Sequence, residues 1–125
     1  MKCLTIKQPW ASLIVNGYKN YEFRSWQTKY RGKILIHAGM SLEKENVSKV
    51  KEYNLEYIKG AIIGEAEIVD CILVDKNFDN SLKKENGIVY ESNHVGLYAW
   101  KLENIKKYKE PIYVKGKLSL WEYKN

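Results

Sequence analysis

Gly60-Ala61-Ile62-Ile63-Gly64-Glu65-Ala66-Glu67-Ile68-Val69-Asp70-Cys71-Ile72-Leu73-Val74 is the stretch on which the fold turns. It is the longest β-like run of the chain, rich in Ile and Val, and too long for one flat strand. Gly64 inside it marks a bend or a close approach of another backbone, the device by which barrels turn their corners. Working outward, Lys2 to Ile6 reads as a first strand, and Tyr21 to Trp26 alternates as a second. In that second strand Glu22, Arg24 and Trp26 share one face, and Tyr21 and Phe23 the other. Lys33 to Ala38 is apolar on both faces and therefore central, with Gly39 ending it. Val95 to Leu102 and Pro111 to Lys115 supply two more strands, the last leading through Gly116 to Leu118-Ser119-Leu120-Trp121.

Helices are few and short. Pro9 suits the first turn of a helix, Trp10, Leu13 and Ile14 recur on one face of it, and Asn16-Gly17 stops it. Ser41 caps a second helix running to about Asn54, with Val47 and Val50 turned inward. Asp75 to His94 is polar, with Asn86-Gly87 at its centre, and reads as a long loop with one short helical turn around Ser81 to Glu85. No βαβ rhythm, repeat or linker divides the chain. The expectation is one domain over residues 1–125, α+β but mainly β, in which a small closed or partly closed barrel hides its strand edges.

The 125 residues include 45% apolar and 13% aromatic side chains, which excludes a disordered chain. No run approaches the ~20 apolar residues that cross a bilayer, and Met1-Lys2-Cys3-Leu4-Thr5 does not open a signal peptide, so a cytoplasmic protein is expected. Cys3 and Cys71 are far apart and expected to be reduced. With 21 Lys+Arg against 15 Asp+Glu the formal charge is +6, which favours polyanionic partners. Nineteen of the 21 cations are Lys, though, a skew that an AT-rich coding sequence produces without selection for binding.

Several residues carry candidate chemistry. Glu22, Arg24 and Trp26 on one strand face would read a nucleobase: Arg pairs with a phosphate or base edge, Glu accepts from an exocyclic amine, and Trp offers a stacking plane. The plainer alternative is a surface Glu22–Arg24 ion pair. Lys19 could bind phosphate or, desolvated, act as a base. Lys7 and Gln8 precede a helix start that attracts anions, unless Gln8 merely caps it. Trp10 is core or stacking platform, and His37 reads as an interior histidine. Lys115, Gly116 and Lys117 could form a rim. Cys3, His37, Cys71 and His94 lack paired ligand spacing, so neither a metal nor a cofactor is expected.

Certain segments in sequence carry a resemblance. They are Gln8-Pro9-Trp10-Ala11, Gly17-x-Lys19-x-x-Glu22-x-Arg24, Tyr30-Arg31-Gly32 with Leu35-Ile36-His37-Ala38, Gly60-Ala61-Ile62-Ile63-Gly64, and Pro111-Ile112-x-Val114-Lys115-Gly116 with Trp121. In this order they resemble the ASCH domain family of the PUA-like superfamily of RNA-associated barrels, nearest its cointegrator-like branch. The resemblance implies a small β-barrel of five or six strands with two or three short flanking helices. It further implies binding of RNA, a nucleotide or single-stranded nucleic acid in a cleft between the barrel and the first helix. Lys7, Gln8, Trp10, Lys19, Glu22, Arg24, Trp26, Arg31 and Lys115 are the residues expected there. Some small bacterial members resemble acetylcytidine amidohydrolases or ribonucleases, with a Lys matched by Lys19 and an Arg matched by Arg24. Their Thr position holds Glu22 here, and their distal Glu has no clear match. As an enzyme, the chain would use Lys19 and Glu22. As a protein-interaction module it would instead show an exposed apolar patch at the cleft.

Overall fold

The run that opens the sequence reading is a single bent strand. In the computed structural model, which describes residues 1–124, β4 (Ala61–Leu73) pairs antiparallel with β3 (Gly32–Leu42) on one side and β5 (Tyr98–Tyr113) on the other. Its register against β5 slips between Ile62 and Gly64, Glu65 and Glu67, and Ile68 and Asp70, and these bulges supply the curvature. Gly64 stands where backbones touch: a Cβ there would lie 2.5 Å from the Lys106 carbonyl oxygen and 2.7 Å from Val15 Cγ1. Only glycine fits.

Beyond β3 the sheet continues to β1 (Lys2–Gln8), which runs parallel to it, and to β6 (Leu120–Glu122). β2 (Tyr21–Arg24) pairs with β5, so the strand order is β2-β5-β4-β3-β1-β6. Backbone pairing leaves this six-stranded sheet open, yet its curl brings β2 back towards β1. There Arg24 Nη2 donates to the Thr5 carbonyl at 2.8 Å, a side-chain bridge between the two sides of the barrel-like sheet.

The main core holds Leu4, Ile6, Ile34, Ile36, Ile68, Trp100 and Leu102, with Ala11 and Ile14 of α1 (Trp10–Val15) pressed onto it. Leu13 on another side of α1 joins a second cluster with Val50, Leu82, Val89 and Tyr90. A six-residue helix survives because both sides of it are buried; alone it would be far too short. It ends as Asn16-Gly17 predicts. Gly17 takes φ +84°, its N–H donates to Ile14 at 3.0 Å, and the Tyr18 N–H donates to Leu13 at 2.9 Å, the two bonds of a Schellman turn.

Several boundaries differ from the sequence expectation. Pro9 occupies the N-cap of α1 rather than its first turn. β3 passes through Gly39 to Leu42, so Ser41 lies in a strand and caps nothing. The second helix shrinks to α2 (Lys44–Lys49) plus a 3-10 turn over Lys51–Tyr53; Val50 is buried and Val47 only half-buried. Much of the expected 75–94 loop is α3 (Lys76–Glu85), started by Asp75, whose carboxylate accepts from the Phe78 N–H at 2.8 Å. Phe78 and Leu82, one turn apart, seat it on the second cluster. The two strands expected after residue 94 are one, β5, because the charged stretch between them stays extended along β4. Cys3 and Cys71 are free thiols, and burial pushes Cys3 up to about 12. Among the described residues no helix is long and apolar enough to cross a membrane.

Candidate functional site

The Schellman turn that ends α1 sets the first functional side chain. The Leu13 carbonyl also accepts from the Lys19 N–H at 3.2 Å, so Lys19 is held against the helix end and its side chain turns inward. Only 3% of Lys19 is exposed. Its Nζ donates to the Tyr21 carbonyl and lies 4.4 Å from the Phe23 ring centroid and 5.5 Å from those of Trp10 and Tyr90. Three aromatic faces attract the cation there. Desolvation nonetheless lowers its pKa to about 8; nearby Glu22 opposes that fall and Arg24 adds to it.

Glu22 and Arg24 do share a face of β2, and they pair. Arg24 Nε donates to Glu22 Oε2 at 3.0 Å, and Nη2 lies 2.9 Å from the same oxygen while also holding Thr5. One oxygen therefore takes both contacts. Among the described residues Glu22 Oε1 and Arg24 Nη1 have no hydrogen-bond partner, and no fully buried side-chain nitrogen or oxygen is left unpaired. The two open atoms, an acceptor on Glu22 and a donor group on Arg24, are thus not fully buried, and both residues line the cleft.

A third polar unit borders the same space. His94 stacks on Phe23, with centroids 3.9 Å apart and planes 20° apart, and its Nδ1 lies 3.0 Å from Asp79 Oδ1. A carboxylate only accepts, so Nδ1 carries a hydrogen, and among the described residues Nε2 has no hydrogen-bond partner. Burial, with help from the Lys19 charge, holds His94 below its ordinary 6.5 against the bond to Asp79. Asp79 is itself lowered: burial raises it, but bonds from Lys83, at 2.7 Å, and from His94 outweigh that.

Lys19, Glu22, Phe23, Arg24 and His94 line a cleft of about 620 Å³ between β1, β2, α1, the end of β3 and the segment after α3. Of the nine residues expected at a ligand site, the fold brings five together here: Lys7 at the exposed rim, Trp10, Lys19, Glu22 and Arg24. Trp10 is both wall and core neighbour. The other four lie elsewhere. Gln8 is 0% exposed; its Nε2 donates to the Ile58 carbonyl at 2.9 Å and its Oε1 accepts from the Ser12 N–H at 2.9 Å, so it ties α1 to the chain beneath it. Trp26 falls beyond the end of β2, which breaks the alternation, and packs edge-on against Trp100 at 4.8 Å. Arg31 Nη1 donates to the carbonyls of Thr28 and Tyr30, each at 3.0 Å, away from the cleft. Lys115 faces a neighbouring cavity of about 580 Å³.

His37 sits at the floor of that second cavity with no free valence. Its Nε2 lies 2.7 Å from the Val114 carbonyl and must donate, so Nδ1 accepts from Thr5 Oγ1 at 3.2 Å, and Thr5 Oγ1 accepts from Trp121 Nε1 at 3.1 Å. Gly116 is needed for this close packing: a Cβ would stand 2.6 Å from His37 Cε1 and 2.7 Å from Thr5 Oγ1. The described residues contain no cluster of three metal-ligating side chains. Phe23 and His94 at the cleft, with Asp79 and Tyr90 behind them, are not among the residues expected at a ligand site. Asp79 and Lys83 at helical spacing were a faint signal, but nothing in the sequence pointed from His94 to Lys19.

The ASCH domain family matches this chain over residues 4–113. Activating signal cointegrator 1 of Mus musculus is 32% identical to it over 96% of this chain, and that of Homo sapiens 31% identical over 96%. The chain spans 22% of the length of either. Among solved structures, ASCH from Zymomonas mobilis superposes with TM-score 0.57 at 19% identity, covering 90% of this chain and 72% of that one. A point mutant of the same protein gives 0.58, over 90% and 73%.

Proposed function

This chain belongs to the ASCH domain family, and on that premise we propose that it binds RNA, a nucleotide or single-stranded nucleic acid in the cytoplasm, through the cleft between β2 and α1. One observation carries the reading. A partly buried Glu22–Arg24 pair at the cleft keeps one acceptor, Oε1, and one donor group, Nη1, without a protein partner among the described residues. A nucleotide offers a partner for each, an exocyclic amine or ring N–H for the carboxylate oxygen and a carbonyl, ring nitrogen or phosphate oxygen for the guanidinium. Lys7 and Lys19 supply positive charge for the phosphate, and the Trp10 indole supplies an aromatic face worth ~1–3 kcal/mol when a base stacks on it. The two free cysteines fit a reducing compartment. The test is a titration with short RNA, short DNA and nucleotides at low salt. Binding should appear, weaken steeply as salt rises, and weaken again in Arg24→Ala; its absence at micromolar protein and low salt overturns the proposal.

A second reading, hydrolysis of an amide on a modified nucleoside or of RNA, has its own observation in favour. His94, held by Asp79, and the desolvated Lys19 both border the cleft, a base and an amine close to neutrality. Against it, Glu22 occupies the position of the amidohydrolase hydroxyl and is held by Arg24. Incubation with acetylcytidine decides: release of acetate by the wild type and not by Lys19→Ala would support hydrolysis, and no release by either would remove it.

A further inference from the structure

The second cavity adjoins the first. Thr5, Gly39, Met40, Lys117 and Leu118 line both, and at about 580 Å³ it matches the cleft in size. Each falls in the range of ~300–1,000 Å³ that holds a small ligand. Their chemistry differs. In the cleft Glu22 and Arg24 leave polar atoms open, whereas the hydrogen-bonding groups of His37 and the Thr5 hydroxyl at the floor of the second cavity are all engaged. No carboxylate lines the second cavity, while Lys115 and Lys117 do, and neither lysine has an ion-pair partner among the described residues. Between the two spaces stand Met40 and Leu118, 73% and 93% exposed. Apolar side chains that open to water contribute little to the core, and at a shared wall they form an apolar lip.

Building on the binding function proposed above, we infer that the two cavities are successive subsites for one single-stranded oligonucleotide. The first takes a base whose edge meets Glu22 and Arg24. The second takes the adjoining nucleotide without reading it, since the hydrogens of His37 and of the Thr5 hydroxyl at its floor are already donated within the protein. Lys117, which faces both, neutralises the linking phosphate, Lys115 attracts the backbone beyond it, and Met40 with Leu118 separates the two bases. The ligand is thus a strand of two nucleotides or more, with sequence preference confined to one position.

The experiment compares the four ribonucleoside 5′-monophosphates with RNA tetranucleotides in a calorimetric titration at low salt, using the full chain. The tetranucleotide should bind at least about tenfold more tightly than the best monophosphate, through the added contacts of a second nucleotide and its linking phosphate. Lys115→Glu, an exposed position where folding is not at stake, should cut that affinity ratio to below about threefold by removing backbone attraction. Equal affinity for both ligands, or a ratio that Lys115→Glu leaves unmoved, overturns the two-subsite inference while the binding function stands, and would leave the Met40–Leu118 lip to a protein partner. No binding of either ligand overturns both.

Discussion

Two polar clusters meet at Thr5, and they are built to opposite ends. On one side the Thr5 hydroxyl joins Trp121, His37 and the Val114 carbonyl in a chain where each hydrogen has an acceptor. On the other the Thr5 carbonyl joins Arg24 and Glu22, a pair that keeps Oε1 and Nη1 open. A buried polar group left unpaired costs ~1–3 kcal/mol, so open atoms persist only where water or a ligand reaches them. Polarity alone therefore marks neither cluster as a site. Residual hydrogen-bonding capacity distinguishes the cleft from the His37 corner, although both hold aromatic rings, a strand end and a titratable side chain.

That contrast can be broken from either side. Gly116→Ala forces a Cβ into the His37–Thr5 contact and should destabilise the protein by about 1–3 kcal/mol, read as a lower urea midpoint; an unmoved midpoint would mean that the corner yields freely. Glu22→Gln leaves an amide oxygen to accept from Arg24 but places a donor where Oε1 was open. Stability should fall by about 1–2 kcal/mol as a charged pair becomes a neutral hydrogen bond, while affinity for a base with an exocyclic amine should fall about tenfold or more. If stability fell and affinity did not, the cleft pair would be structural like its neighbour.

Acidity sharpens the same contrast. Lys19 carries its charge below about 8 and loses it above, so affinity for an anionic ligand should fall up to about tenfold between about pH 7 and pH 9. Stability should move the other way. Between about 8 and the ordinary 10.5 the unfolded chain holds a proton that the folded chain has lost, so stability rises with pH through that window. Lys19→Met should flatten both slopes, and an affinity slope that survived it would belong to another group. The smallest effect is expected at the rim: Lys7→Ala should lower the slope of log affinity against log salt by about one.

The strands, the helix stop at Asn16-Gly17 and the common face of Glu22 and Arg24 could be read from the chain because each depends on local chemistry. What failed depends on partners far away. Trp26 shares the parity of Glu22 and Arg24, but β2 stops at Arg24, and Trp100, 74 residues on, supplies the surface that Trp26 joins. α3 was hidden by polar composition; its Asp75 cap and its Phe78 and Leu82 become informative only once Tyr90 and Val50 stand opposite. β5 looks broken because Asn104 takes φ +51° amid charges, yet its side chain reaches Glu67 at 2.9 Å across the bulge. His94 enters the site only through α3 and Phe23, so no spacing rule could have found it.

Arg24 also gives the barrel a clasp. One guanidinium ties β2 to β1 where the backbones do not pair, and the same guanidinium borders the binding space. The join between β1 and β2 and the polar lining of the cleft thus share a single side chain. A ligand that drew Nη2 from Thr5 would loosen the ring as it bound, whereas one content with Nη1 would leave it fastened. Amide exchange along β1 would tell these ligands apart, and an engineer wishing to widen the mouth for a bulkier guest would begin at this clasp.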